Sequence, residues 1–270
     1  MNFTDKRIWI TGASSGIGEA LTYLLSERGA EIIISSRRIE ELERVKNKCK
    51  NKDKIHIQLL DLENHDQIIP TTKDVIDLFG KIDILINNGG ISQRSLAKVT
   101  PPEVDKKIMD VNYFGTIYLT KALLPYMIDN KGGHIVVISS LTGKFGAPMR
   151  SAYSASKHAL HGFFETLRAE CQGDGIQVTL ICPGYVKTNV SINALTAAGE
   201  SQNTMDKSTE NGMHPSKLAK KIVRSIERNR KELITGGPEI LVVYIKRFFP
   251  GLFYWLVGKS LKIPDSEFKS

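Results

Sequence analysis

Tyr153 and Lys157 stand four positions apart, a spacing that puts a phenol and an ammonium on one face of one helix. Such a pair suits proton transfer. A free phenol has a pKa of about 10, too high for that work at neutral pH, and an adjacent cation favours the phenolate. Two hydroxyls, Ser139 and Ser140, precede the pair at the end of an apolar run, and the amide of Asn112 lies in a long helical stretch upstream. His134, His158 and His161 are poorer candidates for the acid: the first begins a strand, and the other two read as exposed helix residues.

A second constellation binds phosphate. Gly12, Gly16 and Gly18 follow the first apolar run directly and open the first helical stretch, with Ser14, Ser15 and Ile17 between them. Glycines at these places allow a tight turn, close approach of backbone to a pyrophosphate and close helix packing, while free N–H groups at the helix start attract anionic oxygens. Where a dinucleotide fold of this kind prefers NAD, a carboxylate ends the second strand; here Ser35 and Ser36 lead into Arg37 and Arg38. Two guanidiniums match a 2′-phosphate in charge and geometry, so NADP(H) is expected over NAD(H). Pairing of Arg37 and Arg38 with Glu40 or Glu41 is the competing use. Asp61 and Leu62, past the third strand, are placed to frame an adenine, although an Asp there also caps a helix. Asn87, Asn88, Gly89 and Gly90 suit both a tight turn and cofactor contact.

The elements that must position these groups alternate. Apolar runs at 8–11, 32–35, 55–59, 82–87, 134–139 and 178–182 are separated by helical stretches at about 16–28, 40–50, 65–79, 101–130, 153–171 and 216–229. Alternation of this kind predicts a parallel sheet, and the continuous apolarity of the runs means burial on both faces. The expected fold class is α/β: one Rossmann domain over 1–240, a doubly wound sheet of about seven strands flanked by helices. The segment 187–214, rich in Ser, Thr, Asn, Gly and Ala, follows the sixth strand where a ligand crevice opens, and is expected to be a substrate lid.

On these residues the chain resembles a classical short-chain dehydrogenase/reductase. The matching stretches are the Thr11 to Gly18 loop, 87–90, Asn112, the serine before the tyrosine helix, Tyr153 with Lys157, and Pro183 with Gly184, in family order over about 5–190. The stretches around Ser140 and Tyr153 are similar to the hydroxysteroid and retinol dehydrogenase-like branch. Gly89 departs from the family's usual Ala. The resemblance implies an oxidoreductase that acts on CH–OH groups and interconverts a carbonyl and an alcohol, with a small-molecule substrate of lipophilic character. It implies Tyr153 as general acid in reduction and base in oxidation, and Lys157 as the cation that tunes it and bonds the nicotinamide ribose. It also implies Ser140, thirteen positions before the tyrosine, as donor to the developing alkoxide, and Asn112 as holder of a water on the proton path. Pro183, Gly184, Val186 and Thr188 would close over the nicotinamide. A dinucleotide-binding sensor without turnover and an extended-type epimerase are the other classes these motifs admit.

Composition narrows the rest. The net charge is +8, but Lys and Arg are spread without a long basic run, so nucleic acid is not an expected partner. Cys49, Cys171 and Cys182 lack disulfide-framework or metal-ligand spacing, which points to no metal and a reducing, cytoplasmic setting. No stretch supplies the roughly 18–20 uncharged apolar residues of a membrane span. The last stretch, 241–270, is an aromatic extension with Lys246, Arg247, Lys259 and Lys262 in or beside it. It is expected to pack on the domain or a subunit, with 240–245 as the last strand, ahead of peripheral docking on a membrane. A homodimer or homotetramer is expected from the resemblance.

Overall fold

The structure, a computed structural model, describes residues 2–260. Lys262 and the rest of the extension to 270 lie outside the described residues. Seven parallel strands form one sheet in the order β3-β2-β1-β4-β5-β6-β7. They are β1 Arg7–Thr11, β2 Glu31–Ser35, β3 Ile55–Ile57, β4 Ile84–Asn87, β5 Gly133–Ile138, β6 Ile176–Pro183 and β7 Glu232–Thr235. The doubly wound α/β expectation is met.

Alternation within each strand sorts the core into two layers. Ile8, Ile10, Ile32 and Ile34 pack with α1 (Gly16–Glu27), α2 (Ile39–Lys48) and α8 (Pro215–Glu227). Trp9, Ile33, Leu85 and Ile135 face α3 (Ile68–Phe79), α5 (Gly115–Asp129) and α6 (Ser151–Glu170). Each fully buried Ile or Leu contributes about 1.5–3 kcal/mol. The strand order reverses between β1 and β4, so a crevice opens past their carboxyl ends.

Two expectations are corrected. The single helix over 101–130 is α4 (Pro102–Met109), a π-helical segment at Asp110–Phe114, and then α5. The run 240–245 is not the last strand; it begins α9 (Ile240–Phe248), and α10 (Pro250–Ser260) follows. The edge beside β6 is already taken by Glu232–Thr235, and Gly236, Gly237 and Pro238 turn the chain off the sheet before the apolar run starts. A four-residue helix, α7 (Lys207–Glu210), lies near the end of the expected lid.

Candidate active site

The glycine loop is built as its spacing requires. Gly12 and Gly16 have φ of +63° and +62°, a region open to glycine at little cost. A Cβ at Gly18 would collide with the Gly12 carbonyl oxygen and lie 2.7 Å from Asn88 Nδ2 and 2.9 Å from Ala13 Cα. Ser15, at the N-cap of α1, makes no side-chain capping bond, so the first-turn N–H groups face the crevice, as an anion site needs. Asn88 ties β4 to this loop: its Nδ2 donates to the Thr11 and Gly12 carbonyls, both at 3.0 Å.

The crevice holds a cavity of about 600 Å³ lined by Gly12, Ser14, Ser15, Gly16 and Ile17 on the loop side. Arg37, Arg38, Asp61 and Leu62 line its far end, and Asn88, Gly90 and Thr188 its inner end. Gly18 is outside this lining; its part is the packing of α1 against the loop. Arg37 and Arg38 are exposed and form no ion pair among the described residues, and Arg38 reaches Ser14 Oγ at 3.4 Å. Glu41 pairs with Arg44 instead. Asp61 Oδ1 accepts from the Glu63 N–H at 3.0 Å, closing a turn, so it caps while still lining the cavity. The positive-φ glycines, the uncapped helix start and two unpaired guanidiniums all fit a dinucleotide pyrophosphate and its ribose end.

A second cavity, of about 190 Å³, contains Ser140, Tyr153 and Lys157 together with Pro183, Gly184 and Val186. It shares Ile17, Asn88, Gly90 and Thr188 with the first. Ser140 Oγ accepts from the Thr142 N–H at 3.1 Å and from the Thr142 hydroxyl at 3.0 Å. Its own proton is thereby free to point at the phenol, with which it hydrogen-bonds. Lys157 is buried and its Nζ donates to the Ile138 carbonyl at 2.8 Å. Asn112 is fully buried in the π-helical turn, its amide paired with both backbone groups of Ile91, at 2.8 and 2.9 Å, and with Ser156 Oγ at 3.1 Å. These bonds use both amide N–H donors and one lone pair of Oδ1, which leaves that oxygen one lone pair with which to accept from a water.

Electrostatics add two cations to those expected. Burial pushes the Tyr153 phenol up from its ordinary value; the Ser140 hydrogen bond and the charges of Arg150 and Arg94 pull it down. Lys157 lies close by. Its Nζ is 5.7 Å from the phenol ring centroid, and burial lowers its own pKa to about 8. The added cations are Arg150, three residues before the phenol, and Arg94, whose Nε donates to Asp206 at 2.8 Å. Arg150 is 3.6 Å from the same carboxylate. Replacing Arg150 by Met is expected to move the ionisation of Tyr153 to higher pH. In the alcohol-oxidising direction, which needs the phenolate, the rising limb of the pH profile then shifts alkaline, and an unshifted limb would exclude this role.

Residues the sequence did not suggest lie behind Ser140. His161, expected to be exposed, is buried because β6 and β7 bring Cys182 and Glu232 to it. Its Nε2 is 3.1 Å from Ser139 Oγ, and Cys182 Sγ is 3.6 Å from both Nε2 and Glu232 Oε1. Lys144 meets Glu232 at 2.6 Å, so the carboxylate's charge is answered within the protein. Position 139 therefore braces the wall while 140 faces the cavity.

Known proteins share this sequence pattern and this fold. A family model described as short chain dehydrogenase matches residues 6–198. The human dehydrogenase/reductase SDR family member 7 is 43% identical over 99% of this chain and 81% of its own. The Drosophila melanogaster SDR family protein 7-like is 42% identical over 98% and 83%. A short-chain dehydrogenase structure from Streptomyces avermitilis superposes with a TM-score of 0.81 at 28% identity, over 96% of this chain and 100% of that one. For the fold alone, a Burkholderia phymatum short-chain dehydrogenase/reductase solved with NAD gives 0.83 at 22% identity, over 93% and 96%.

Proposed function

The chain belongs to the short-chain dehydrogenase family, and from that premise we propose that it interconverts a lipophilic carbonyl and its alcohol with NADP(H). Family membership makes it an oxidoreductase with a nicotinamide cofactor; the substrate class and the phosphorylated form of the cofactor are our reading. One observation carries it. The Tyr153 phenol, bonded to Ser140, and the Lys157 amine occupy a cavity whose wall is continuous with the glycine-lined crevice.

The bound dinucleotide supplies or takes up the hydride. Tyr153 gives its proton to the carbonyl oxygen in reduction and takes it back in oxidation. Ser140, oriented by Thr142, donates to the same oxygen as negative charge grows there. Lys157, held by the Ile138 carbonyl beside Gly90, anchors the ribose side and keeps a mobile proton within reach of the phenol. Leu141, Phe145 and Val186 give the cavity its apolar wall, which supports a lipophilic substrate. The segment 187–214 acts as a lid: Thr188, Val190 and Thr209 line the catalytic cavity, and Asp206 latches the segment to Arg94.

The cofactor reading rests on Arg37 and Arg38. Charge-assisted bonds to a phosphate contribute about 1.5–3 kcal/mol each, so replacing both by Ala should weaken NADPH binding by about 10²-fold to 10⁴-fold and NADH binding far less. Titration of dinucleotide fluorescence reads both, and equal losses for the two would exclude a 2′-phosphate contact.

A further inference from the structure

We propose that α9 and α10 are a docking surface for an anionic bilayer, lying on it rather than crossing it. The surface is apolar to an extent seen nowhere else among the described residues. Sixteen large apolar side chains are exposed, and eight of them fall within 241–256: Leu241, Tyr244, Phe248, Phe249, Leu252, Tyr254, Trp255 and Leu256. Phe248 is 68% and Trp255 54% exposed, and among the described side chains of α10 only Phe253 is buried. Apart from Phe253, these side chains are left uncovered by the domain. Patches of this kind mark interaction sites.

Charge selects the occupant. From 240 to 264 the sequence carries no Asp or Glu, while Lys246, Arg247 and Lys259 punctuate the two helices. A two-fold contact between copies would place this patch on itself, setting three cations against three cations with no acid from the patch between them. A bilayer with anionic headgroups meets both features: aromatic rings settle at the headgroup boundary and the exposed Arg247 and Lys259 face the phosphates, while Lys246 Nζ donates to the Lys144 carbonyl at 3.0 Å. No helix among the described residues is long and apolar enough to cross a membrane, which leaves the interfacial mode.

The helices are fixed to the catalytic cavity rather than hung from it. Glu239, at the start of α9, accepts the Tyr185 N–H at 3.1 Å, and the Phe253 ring packs 5.9 Å from that of Phe145. Glu239, Tyr185 and Phe145 all line the cavity. Docking would thus hold the cavity wall against the lipid from which a lipophilic carbonyl comes. The docking itself does not depend on which carbonyl is turned over.

The protein carries its own reporter. Its two tryptophans are Trp9, fully buried in the core, and the exposed Trp255, so a change in emission on adding vesicles comes from α10. The full chain should co-sediment with vesicles of phosphatidylcholine containing one-third phosphatidylserine, with a blue shift that Trp255→Phe removes, and partition at least tenfold less onto phosphatidylcholine alone. Each cation near an anionic surface is worth about fivefold, so changing the exposed Arg247 and Lys259 together to Gln should cost about 25-fold. The combined Phe248→Asp, Phe249→Asp and Trp255→Glu variant should stay in the supernatant, with turnover of a water-soluble carbonyl unchanged as proof of folding. Wild-type protein left in the supernatant with anionic vesicles would overturn the proposal. So would equal binding to both vesicle types, or a combined aspartate and glutamate variant that still sediments but loses a dimer seen by light scattering.

Discussion

Tyr153→Phe should lower turnover by about 10²-fold to 10⁴-fold, the range of a positioned general acid–base, with dinucleotide affinity nearly unchanged. The substitution removes one oxygen and little volume. Ser140 keeps both bonds from Thr142, and the crevice does not depend on the phenol, since Tyr153 lines the smaller cavity and not the larger. Stability should fall by about 1 kcal/mol at most, one hydrogen bond's net worth. Steady-state rates in both directions, beside a dinucleotide titration, separate these effects. Retained turnover would remove Tyr153 from the chemistry; lost affinity would mean that the phenol holds the cofactor's place instead.

The second large effect is expected at Gly18, which touches no substrate and does not line the crevice. A methyl there meets the Gly12 carbonyl oxygen, Asn88 Nδ2 at 2.7 Å and Ala13 Cα at 2.9 Å. Two of these neighbours are backbone, and the third is held by two hydrogen bonds, so none can swing aside. Gly18→Ala must therefore lift α1 from the loop, at the about 1–3 kcal/mol typical of overpacking, and turn away the N–H groups that face the pyrophosphate. We expect a melting midpoint several degrees lower and dinucleotide affinity reduced by about tenfold or more. Gly146→Ala is the control, because nothing lies within 4 Å of a Cβ there. Equal behaviour of the two variants would show that the close packing of α1 is not what shapes the anion site.

Both positions could be found in the sequence, and the reason is local. The glycine loop is a backbone device, so its spacing after Thr11 carries its geometry, and Tyr153 with Lys157 needs only the pitch of one helix. The strands were legible because Ile8, Ile32 and Ile84 sit in runs buried on both faces. What escaped depends on partners distant in the chain. His161 has Lys157 and Glu165 one turn away on its helix, and it is buried by Ser139, Cys182 and Glu232, which come from distant strands and strand ends. Spacing also could not show that burial raises the pKa of Tyr153 or that Arg94, 59 positions away, is among the charges that lower it. The run 240–245 has six apolar residues, too few for periodicity to separate strand from helix, and the sheet edge it might have joined was already filled.

The widened turn at Asp110–Phe114 has a bearing on how this chain can vary. A π turn behaves as one residue inserted into an otherwise regular α-helix, and here it lets Asn112 meet both backbone groups of Ile91. Excising any one of the five would restore the ordinary pitch and rotate the preceding helix by about 100°, carrying the amide off its partners. Between α4 and α5 the residue count is consequently under tighter constraint than the residue identities, so natural variants should exchange side chains there while keeping the tally intact.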